Sequence, residues 1–474
     1  MSLFSCSPRS IIFLGCASRP SKFIMACLYS NNSKINTHIT SYEIKDKIAL
    51  YKITVQVGEV CWSLSHRYSD FVELNDKLVK DHSLNKDLLP PKKVLRNLDP
   101  TFLEKRKTDL EIYLQNVVNF LEKSLPRCLI DFLHLVKYDI NILLQDFASF
   151  CFNEGDKYLS MGNSTHAFNP LQLYAITNRL KQECPAEESL HQEHDFCHIL
   201  EFCNNLRTLI IQGSPSHIGT SNITYNQLSY ELAMFKKLCK LFLYNVDINN
   251  VTNLGTLRNE LEKLTVCKSS NIKSPCDILL CDQVHKTINP DLIWTQLTQL
   301  DLSANEITHL DEAMSLVPHL EELNLESNQI KTISNLKSLT KLKRLNLNRN
   351  RIQDLSHFKS ELNSESIVEL NLCENLITNL NGLDGMENLQ SLDLGSNFIS
   401  DLSEISNISC LDQLTNINLT GNPIATIIDY RIKILQLFFK RANQIILDSE
   451  KPTSKEIDCT NILNALLVNV QFSD

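Results

Sequence analysis

From residue 297 onward, leucine and isoleucine return at a fixed beat. The pattern L-x-x-L-x-L-x-x-N-x-I occurs six times, over Leu297–Ile307, Leu320–Ile330, Leu342–Ile352, Ile367–Ile377, Leu389–Ile399 and Leu414–Ile424. Its asparagines, Asn305, Asn328, Asn350, Asn375, Asn397 and Asn422, stand 22 to 25 residues apart. Self-similarity at this period predicts a solenoid, each turn giving one short strand whose leucines enter a shared core. The asparagine amide, with donors and an acceptor, suits the satisfying of backbone groups at each turn. Weaker copies begin at Leu206, Leu238 and Leu261 without the asparagine, so about nine turns are expected. The last copy runs into Asn422-Pro423 and an amphipathic stretch, Ile427–Lys440, that contains Asp429-Tyr430-Arg431 and is expected to cap the open end. Thr453 and Glu456 then form a capping-box pattern ahead of Ile457, Ile462, Leu463, Leu466, Leu467 and Val470, which predicts one more helix.

The first half keeps a different rhythm. Ala49–Val57 alternates, Gly58-Glu59 makes a turn and Val60–Leu64 returns, which predicts a β-hairpin. Phe71, Leu74 and Leu78 follow at helix spacing after His66-Arg67-Tyr68-Ser69-Asp70-Phe71, and Leu88-Leu89-Pro90-Pro91-Lys92-Lys93 breaks the helix. A longer helix is expected from about Thr101 to Leu121, with Leu103, Leu110, Leu114, Val117 and Leu121 as its apolar stripe and Lys105-Arg106-Lys107 on the opposite flank. Residues 143–200 read as a helical connector, periodic through Leu143-Leu144, Phe147, Phe150-Cys151 and Leu159, then Pro170-Leu171-Gln172-Leu173-Tyr174.

Composition narrows the chemistry. Over 474 residues, 46 Lys and Arg face 55 Asp and Glu, a net charge of −9, which argues against wrapping nucleic acid along the whole length. With 11 glycines and neither G-x-x-x-x-G-K-[ST] nor G-x-G-x-x-G, nucleotide enzymes lose their main signature. The 16 cysteines include no C-x-x-C pair and read as reduced, mostly buried thiols. Cys276, Cys281 and His285, and His191, His194, Cys197 and His198, have ligand-like spacing, but neither set is complete; no metal and no cofactor are expected. No nucleophile with a base and no paired carboxylates stand out, so no catalytic residue is assigned.

The basic surplus is local: Lys86 to Lys107 holds seven basic residues against three acidic. The first 42 residues contain no acid, and Arg9, Arg19 and Lys22 flank a short apolar run from Ile11, a weak transit-like pattern beside an alternative start at Met25.

Arg67-Tyr68 in R-Y-S-D-F, the Pro90-Pro91-Lys92 turn and Glu104-Lys105-Arg106-Lys107 together resemble the PX (phox homology) family over residues 38–142. The resemblance implies a three-stranded sheet packed on helices and a phosphoinositide headgroup pocket, most often for phosphatidylinositol 3-phosphate. In it Arg67 would clamp the 3-phosphate, Tyr68 would stack on the inositol ring, Lys92 would meet the 1-phosphate and Arg106 would bind ring hydroxyls. The chemistry is coherent: a guanidinium forks two hydrogen bonds onto a phosphate, and an aromatic face covers the apolar side of a ring. Val94 and Leu95, apolar residues on an expected loop between lysines and the helix, are candidate membrane contacts or core.

The fold class expected is therefore an α+β PX domain, a helical connector, and an α/β leucine-rich-repeat solenoid of about nine repeats with a C-terminal cap helix. The expected boundaries are 1–37 for an N-terminal segment, 38–142, 143–200, 201–424 for the repeats, 425–450 for the cap and 451–474 for a last helix. A PX domain followed by such repeats resembles the nischarin-like scaffolds, which implies an adaptor in the cytoplasm, peripheral on early or recycling endosomes, that binds signalling proteins such as an integrin tail and Rac or PAK-type kinases and affects migration. That family's long C-terminal coiled-coil region is not within these 474 residues. The alternative is a soluble repeat regulator of a phosphatase or kinase with a structural PX module. Partner contacts are expected on the concave repeat face, where charge runs in bands: Asp301, Glu321, Glu322 and Glu326, then Lys343, Arg344 and Arg349, then Glu369, Glu374 and Asp393.

Overall fold

The computed structural model describes residues 34–92, 98–121, 125–160, 165–182, 192–283 and 285–471. Val94 and Leu95, His191, and the residues before 34 lie outside the described residues.

The N-terminal unit starts with an antiparallel sheet of β1 (Ile35–Lys45), β2 (Ile48–Val57) and β3 (Val60–Arg67), in that order. Alternation sorts β2: Tyr51, Ile53, Val55 and Val57 are fully buried while Lys52 and Gln56 face solvent. Gly58, at φ 61°, turns the chain into β3. Helix α1 (Tyr68–His82) follows without a linker, and α2 (Pro100–Phe120) starts on an Asp99 cap that accepts from the Phe102 amide, with proline in its first turn. The expected apolar stripe of α2 is buried, and Arg106 is buried with it, at 6% exposure. That corrects the placement of Arg106 on the opposite flank. Positions 103, 106, 110, 113 and 117 are successive members of one helix face, so Arg106 shares the inward stripe and only its neighbours diverge from it.

After α3 (Arg127–Phe132), the connector is more than helical. Helix α4 (Ile140–Ser160) leads to β4 (Thr165–Phe168), then α5 (Pro170–Leu180) and α6 (Phe196–Asn205). Strand β4 pairs in parallel with β5 (Thr208–Gln212), so the connector supplies the first strand of the repeat sheet. His166 on β4 sits among Phe147, Phe168, Phe202 and Tyr158 at ring separations of 4.5–5.8 Å, its Nδ1 without a hydrogen-bond partner among the described residues. Burial pushes its imidazole from 6.5 down to about 4. A folded-state value below the unfolded one means that the stabilisation is complete above the unfolded value and drains away as pH falls from there towards the folded value. His166→Phe is therefore expected to flatten the loss of stability between pH 6.5 and 4, a difference on the order of 1–3 kcal/mol read from urea midpoints at the two ends. An unchanged pH slope in the variant would refute this.

Eleven strands among the described residues form one parallel sheet. After β4 and β5 come β7 (Lys240–Tyr244), β9 (Lys263–Cys267), β10 (Gln299–Asp301), β11 (Glu322–Asn324), β12 (Arg344–Asn346), β13 (Glu369–Asn371), β14 (Ser391–Asp393), β15 (Asn416–Asn418) and β16 (Ile446–Leu447). A small pair, β6 (Tyr230–Glu231) with β8 (Val251–Thr252), and the short helices α7 (Cys276–Leu279), α8 (Phe358–Glu361) and α9 (Ser406–Ser409) belong to the return segments between strands. The register is strict: Leu300, Leu323, Leu345, Leu370, Leu392 and Ile417 occupy one row, each buried to 2% or less.

The asparagines do the stitching between turns. Asn375 Nδ2 donates to Leu347 O of the preceding turn at 2.9 Å and to Leu372 O of its own at 3.0 Å, while its Oδ1 accepts from the Ile352 amide at 3.0 Å. Asn328, Asn350, Asn397 and Asn422 repeat the arrangement. Where the asparagine is missing, Ser269 takes its place, accepting from the Val246 amide at 3.3 Å and donating to Cys267 O at 3.2 Å. At the far end, α10 (Tyr430–Leu437) packs on α11 (Ser454–Gln471). Tyr430 donates to Asp448 at 2.7 Å, Arg431 reaches Glu456 at 2.7 Å, and Glu456 closes the box with Thr453.

The two units are joined through main chain. Cys61 on β3 exchanges two hydrogen bonds of 3.0 Å with Asn222 from the first repeat, donating to its Oδ1 and accepting from its N–H. Asn222 Nδ2 donates to Glu59 O at 2.9 Å, and Thr220 bonds both the N–H and the carbonyl of Ser63. Behind this seam Trp62 is buried, its Nε1 donating to Leu133 O at 2.9 Å and its ring 4.9 Å from Tyr138.

Candidate functional site

Arg67 ends β3 and caps α1, so its side chain leaves the sheet where strand gives way to helix. Asp70, three residues on, accepts from the Arg67 amide and from its Nε, both at 3.0 Å. Burial raises the Asp70 carboxyl, but the two Arg67 hydrogen bonds outweigh it and hold the group below its ordinary value. His66 supports the same carboxylate from 3.4 Å and is itself stacked on Phe132, with Nε2 2.8 Å from Phe132 O. The guanidinium of Arg67 is thus aimed through Nε, while its terminal nitrogens carry no partner among the described residues and more than half of the side chain is exposed.

The prolines supply the other wall. Tyr68 donates to Pro90 O at 2.5 Å, and Arg106 donates to Pro91 O at 3.1 Å, so two side chains distant in sequence are pinned to one turn. The Arg106 guanidinium lies 4.2 Å over the Tyr68 ring and 4.3 Å over Phe102. No carboxylate pairs with this buried cation among the described residues. Burial raises the phenols of Tyr51 and Tyr68, and the nearby Arg106 charge works against the rise in both. Lys92, one residue past the turn, is exposed. The structure therefore gathers Arg67, Tyr68, Lys92 and Arg106 at one end of the unit, with one face of Tyr68 already covered by Arg106. His66 and Asp70 stand in the sequence motif without an assigned role, and Phe102 is not singled out; the spacing of Asp70 three residues after a helix cap, and of Phe102 four before Arg106, were the available signals.

On the solenoid, the charge bands split into rows. Glu322, Arg344 and Glu369 stand side by side in register on the concave face. Lys343 and Glu321 fall just ahead of their strands and pair at 2.9 Å, whereas Arg349 and Glu374, both at positive φ beyond the strands, pair at 2.9 Å. Arg344 is ion-paired to Glu322. Each basic residue expected to face a partner is thus answered by an acid of a neighbouring repeat, and Lys343 and Arg349 lie off the strand face. The reason is length: each strand from β10 to β15 is three residues long, so only two of its side chains look into the concavity. Elsewhere, among the described residues, no three metal-ligand side chains converge, and no helix is long and apolar enough to cross a membrane.

Residues 55–135 match the family model described as the PX domain, and residues 318–360 match that of leucine-rich repeats in two copies. The chain carries a PX domain followed by leucine-rich repeats. Sorting nexin-16 of Homo sapiens is 38% identical over 96 residues, 19% of this chain and 27% of that protein. Sorting nexin-13 of Mus musculus is 35% identical over 119 residues, 23% of this chain and 12% of that protein. The chain thus spans about a quarter or less of the length of these curated relatives. A solved internalin structure from Listeria monocytogenes shares 24% identity over 48% of this chain and 65% of its own, with a TM-score of 0.33, so the repeat architecture rests on the strand register rather than on that likeness. The PX segment and the first repeat meet at the β3 seam, which places both modules in one continuous hydrogen-bonded body.

Proposed function

We propose that the chain is a phosphoinositide-binding adaptor: the PX domain holds it on the cytoplasmic face of early or recycling endosomes, and the repeats collect signalling proteins. Arg106 carries the reading. A guanidinium only 6% exposed between two aromatic rings, with no carboxylate partner among the described residues, keeps hydrogen-bond donors for an oxygen-rich headgroup. Phosphatidylinositol 3-phosphate is the proposed ligand, with Arg67 on the 3-phosphate, Tyr68 beside the ring, Lys92 at the 1-phosphate and Arg106 on the ring hydroxyls. Val94 and Leu95, beside Lys92, are the proposed membrane contacts. Nine turns are proposed for the solenoid among the described residues, from β5 to β15, with α10 as the proposed cap. Nischarin-like partners, an integrin tail and Rac or PAK-type kinases, are proposed for the repeats, with Lys343, Arg344, Arg349, Glu322 and Glu369 as contacts on and beside the concave face. Both modules are non-catalytic.

One observation favours a second reading. Arg106 already has Tyr68, Phe102 and Pro91 as partners, which suits a rivet in a purely structural PX module on a soluble phosphatase or kinase regulator. Liposome flotation of the full chain separates the two. Flotation with phosphatidylcholine vesicles containing phosphatidylinositol 3-phosphate, and none with phosphatidylcholine alone, is the expected result; equal recovery in both fractions would favour the structural module.

A further inference from the structure

The concave face has two halves of different character. Towards the N-terminal end, Phe242 and Tyr244 on β7 stack at 6.3 Å, with Lys263 of β9 5.8 Å over the Phe242 ring. Further along, a groove is lined by Asp301, Asn324, Asn346, Asn371 and Asp393, with Glu322, Arg344 and Glu369 in the adjoining row. Arg344 closes its ion pair with Glu322, and Asp301, Glu369 and Asp393 have no ion pair among the described residues.

The amides between the acids are oriented for use. Asn324 and Asn371 each spend Oδ1 on a backbone N–H two residues on, at 3.1 and 3.0 Å, which fixes the plane of the amide. Their Nδ2 groups have no acceptor among the described residues. Thr265 lies in the same cross-strand row, between Phe242 and Asp301; it is 3% exposed and its hydroxyl has no hydrogen-bond partner among the described residues. A face with spare amide donors, an unanswered buried hydroxyl and unpaired carboxylates lacks acceptors and cations. An extended peptide provides both, through its main-chain carbonyls and basic side chains.

We infer that the concave groove binds an extended, basic segment of a partner protein, with an apolar anchor against Phe242 and Tyr244 and its basic side chains against Asp301, Glu369 and Asp393. This rests on the reading of the repeats as a partner-binding module and names the chemistry of the partner. Strand spacing fixes the segment's own spacing. From β7 to β10 is two strand steps, from β10 to β13 three, and from β13 to β14 one. At ~4.8 Å per step and ~3.3 Å per extended residue, and with only every second side chain on the groove-facing side, the basic residues fall about four, eight and ten positions from the anchor.

The test uses the full chain and a fluorescent twelve-residue peptide with phenylalanine at one end, arginine four, eight and ten positions on, and serine elsewhere, together with its reversed sequence and a version with glutamate for arginine. Fluorescence anisotropy should show binding of one orientation that weakens with salt, and none of the glutamate version. Asp301→Asn with Glu369→Gln and Asp393→Asn keeps the side-chain oxygens that accept from Ser303 and Gly395, so the fold is retained, and it should weaken binding at least tenfold. Phe242→Ser should weaken it without changing the salt dependence. Equal affinity for the glutamate peptide, full binding by the triple variant at an unchanged unfolding midpoint, or no binding of either orientation would each overturn the inference. Flotation on lipid vesicles, run in parallel, reports on the lipid pocket alone, so loss of one activity does not implicate the other.

Discussion

Arg67→Ala is expected to lower affinity for vesicles containing phosphatidylinositol 3-phosphate by at least about 30-fold, the equivalent of roughly 2–5 kcal/mol for a phosphate that loses its charged partner. The geometry makes the variant clean. Asp70 retains its hydrogen bond to the backbone N–H of residue 67, so the α1 cap survives, and the side chain removed is more than half exposed, so no core cavity forms. What disappears is the pair of terminal guanidinium nitrogens that Asp70 leaves unused. Arg67→Lys should recover only part of the loss, because an ammonium cannot fork onto a phosphate. Vesicle binding by Arg67→Ala equal to that of the unaltered chain would remove Arg67 from the site, and a preference for bisphosphorylated lipids would move the specificity while keeping the pocket.

Asn375→Ala is expected to cost the solenoid about 2 kcal/mol: the buried Ile352 amide loses its partner, while Leu347 O and Leu372 O each lose one of two donors and keep Asn350 and Asn397. Each repeat touches only its neighbours, so the damage should be uneven: amide hydrogen exchange should quicken around β12 to β14 and stay slow in β5 to β9. The contrast with Asn418 is informative. That residue sits on the concave face, where its Oδ1 accepts from the exposed Thr420, and Asn418→Ala should cost well under half as much. Equal losses at the two positions, measured by urea unfolding, would mean that water reaches the ladder.

The buried positions of both modules were legible because their spacing is local: a leucine two positions from another, or an alternating run in β2, specifies a face without knowledge of anything distant. What could not be read depends on pairs. The ion pairs of Lys343, Arg344 and Arg349 follow from the alignment of repeats 22 to 25 residues long, and runs of charge along the chain do not show which acid stands beside which base. Strand β4 is four residues, Thr-His-Ala-Phe, too short to show alternation. Arg106 was visible as a ligand candidate but not as a buried one, since a cation on an apolar stripe looks like an interruption until the rings of Tyr68 and Phe102 enclose it.

The seam between β3 and the loop carrying Thr220 and Asn222 has a practical meaning for anyone dividing this chain. The sequence invites a cut near residue 142, the expected end of the PX module. Such a fragment would keep its three strands but lose the partner of their outer edge, uncovering the main-chain groups of Cys61 and Ser63 beside the Trp62 contact. A bare edge of that kind seeks another strand, and a second copy of the fragment offers one. Dimers or aggregates of the isolated module would then reflect the scissors, and an avidity gained from two pockets on one vesicle would be mistaken for the strength of one.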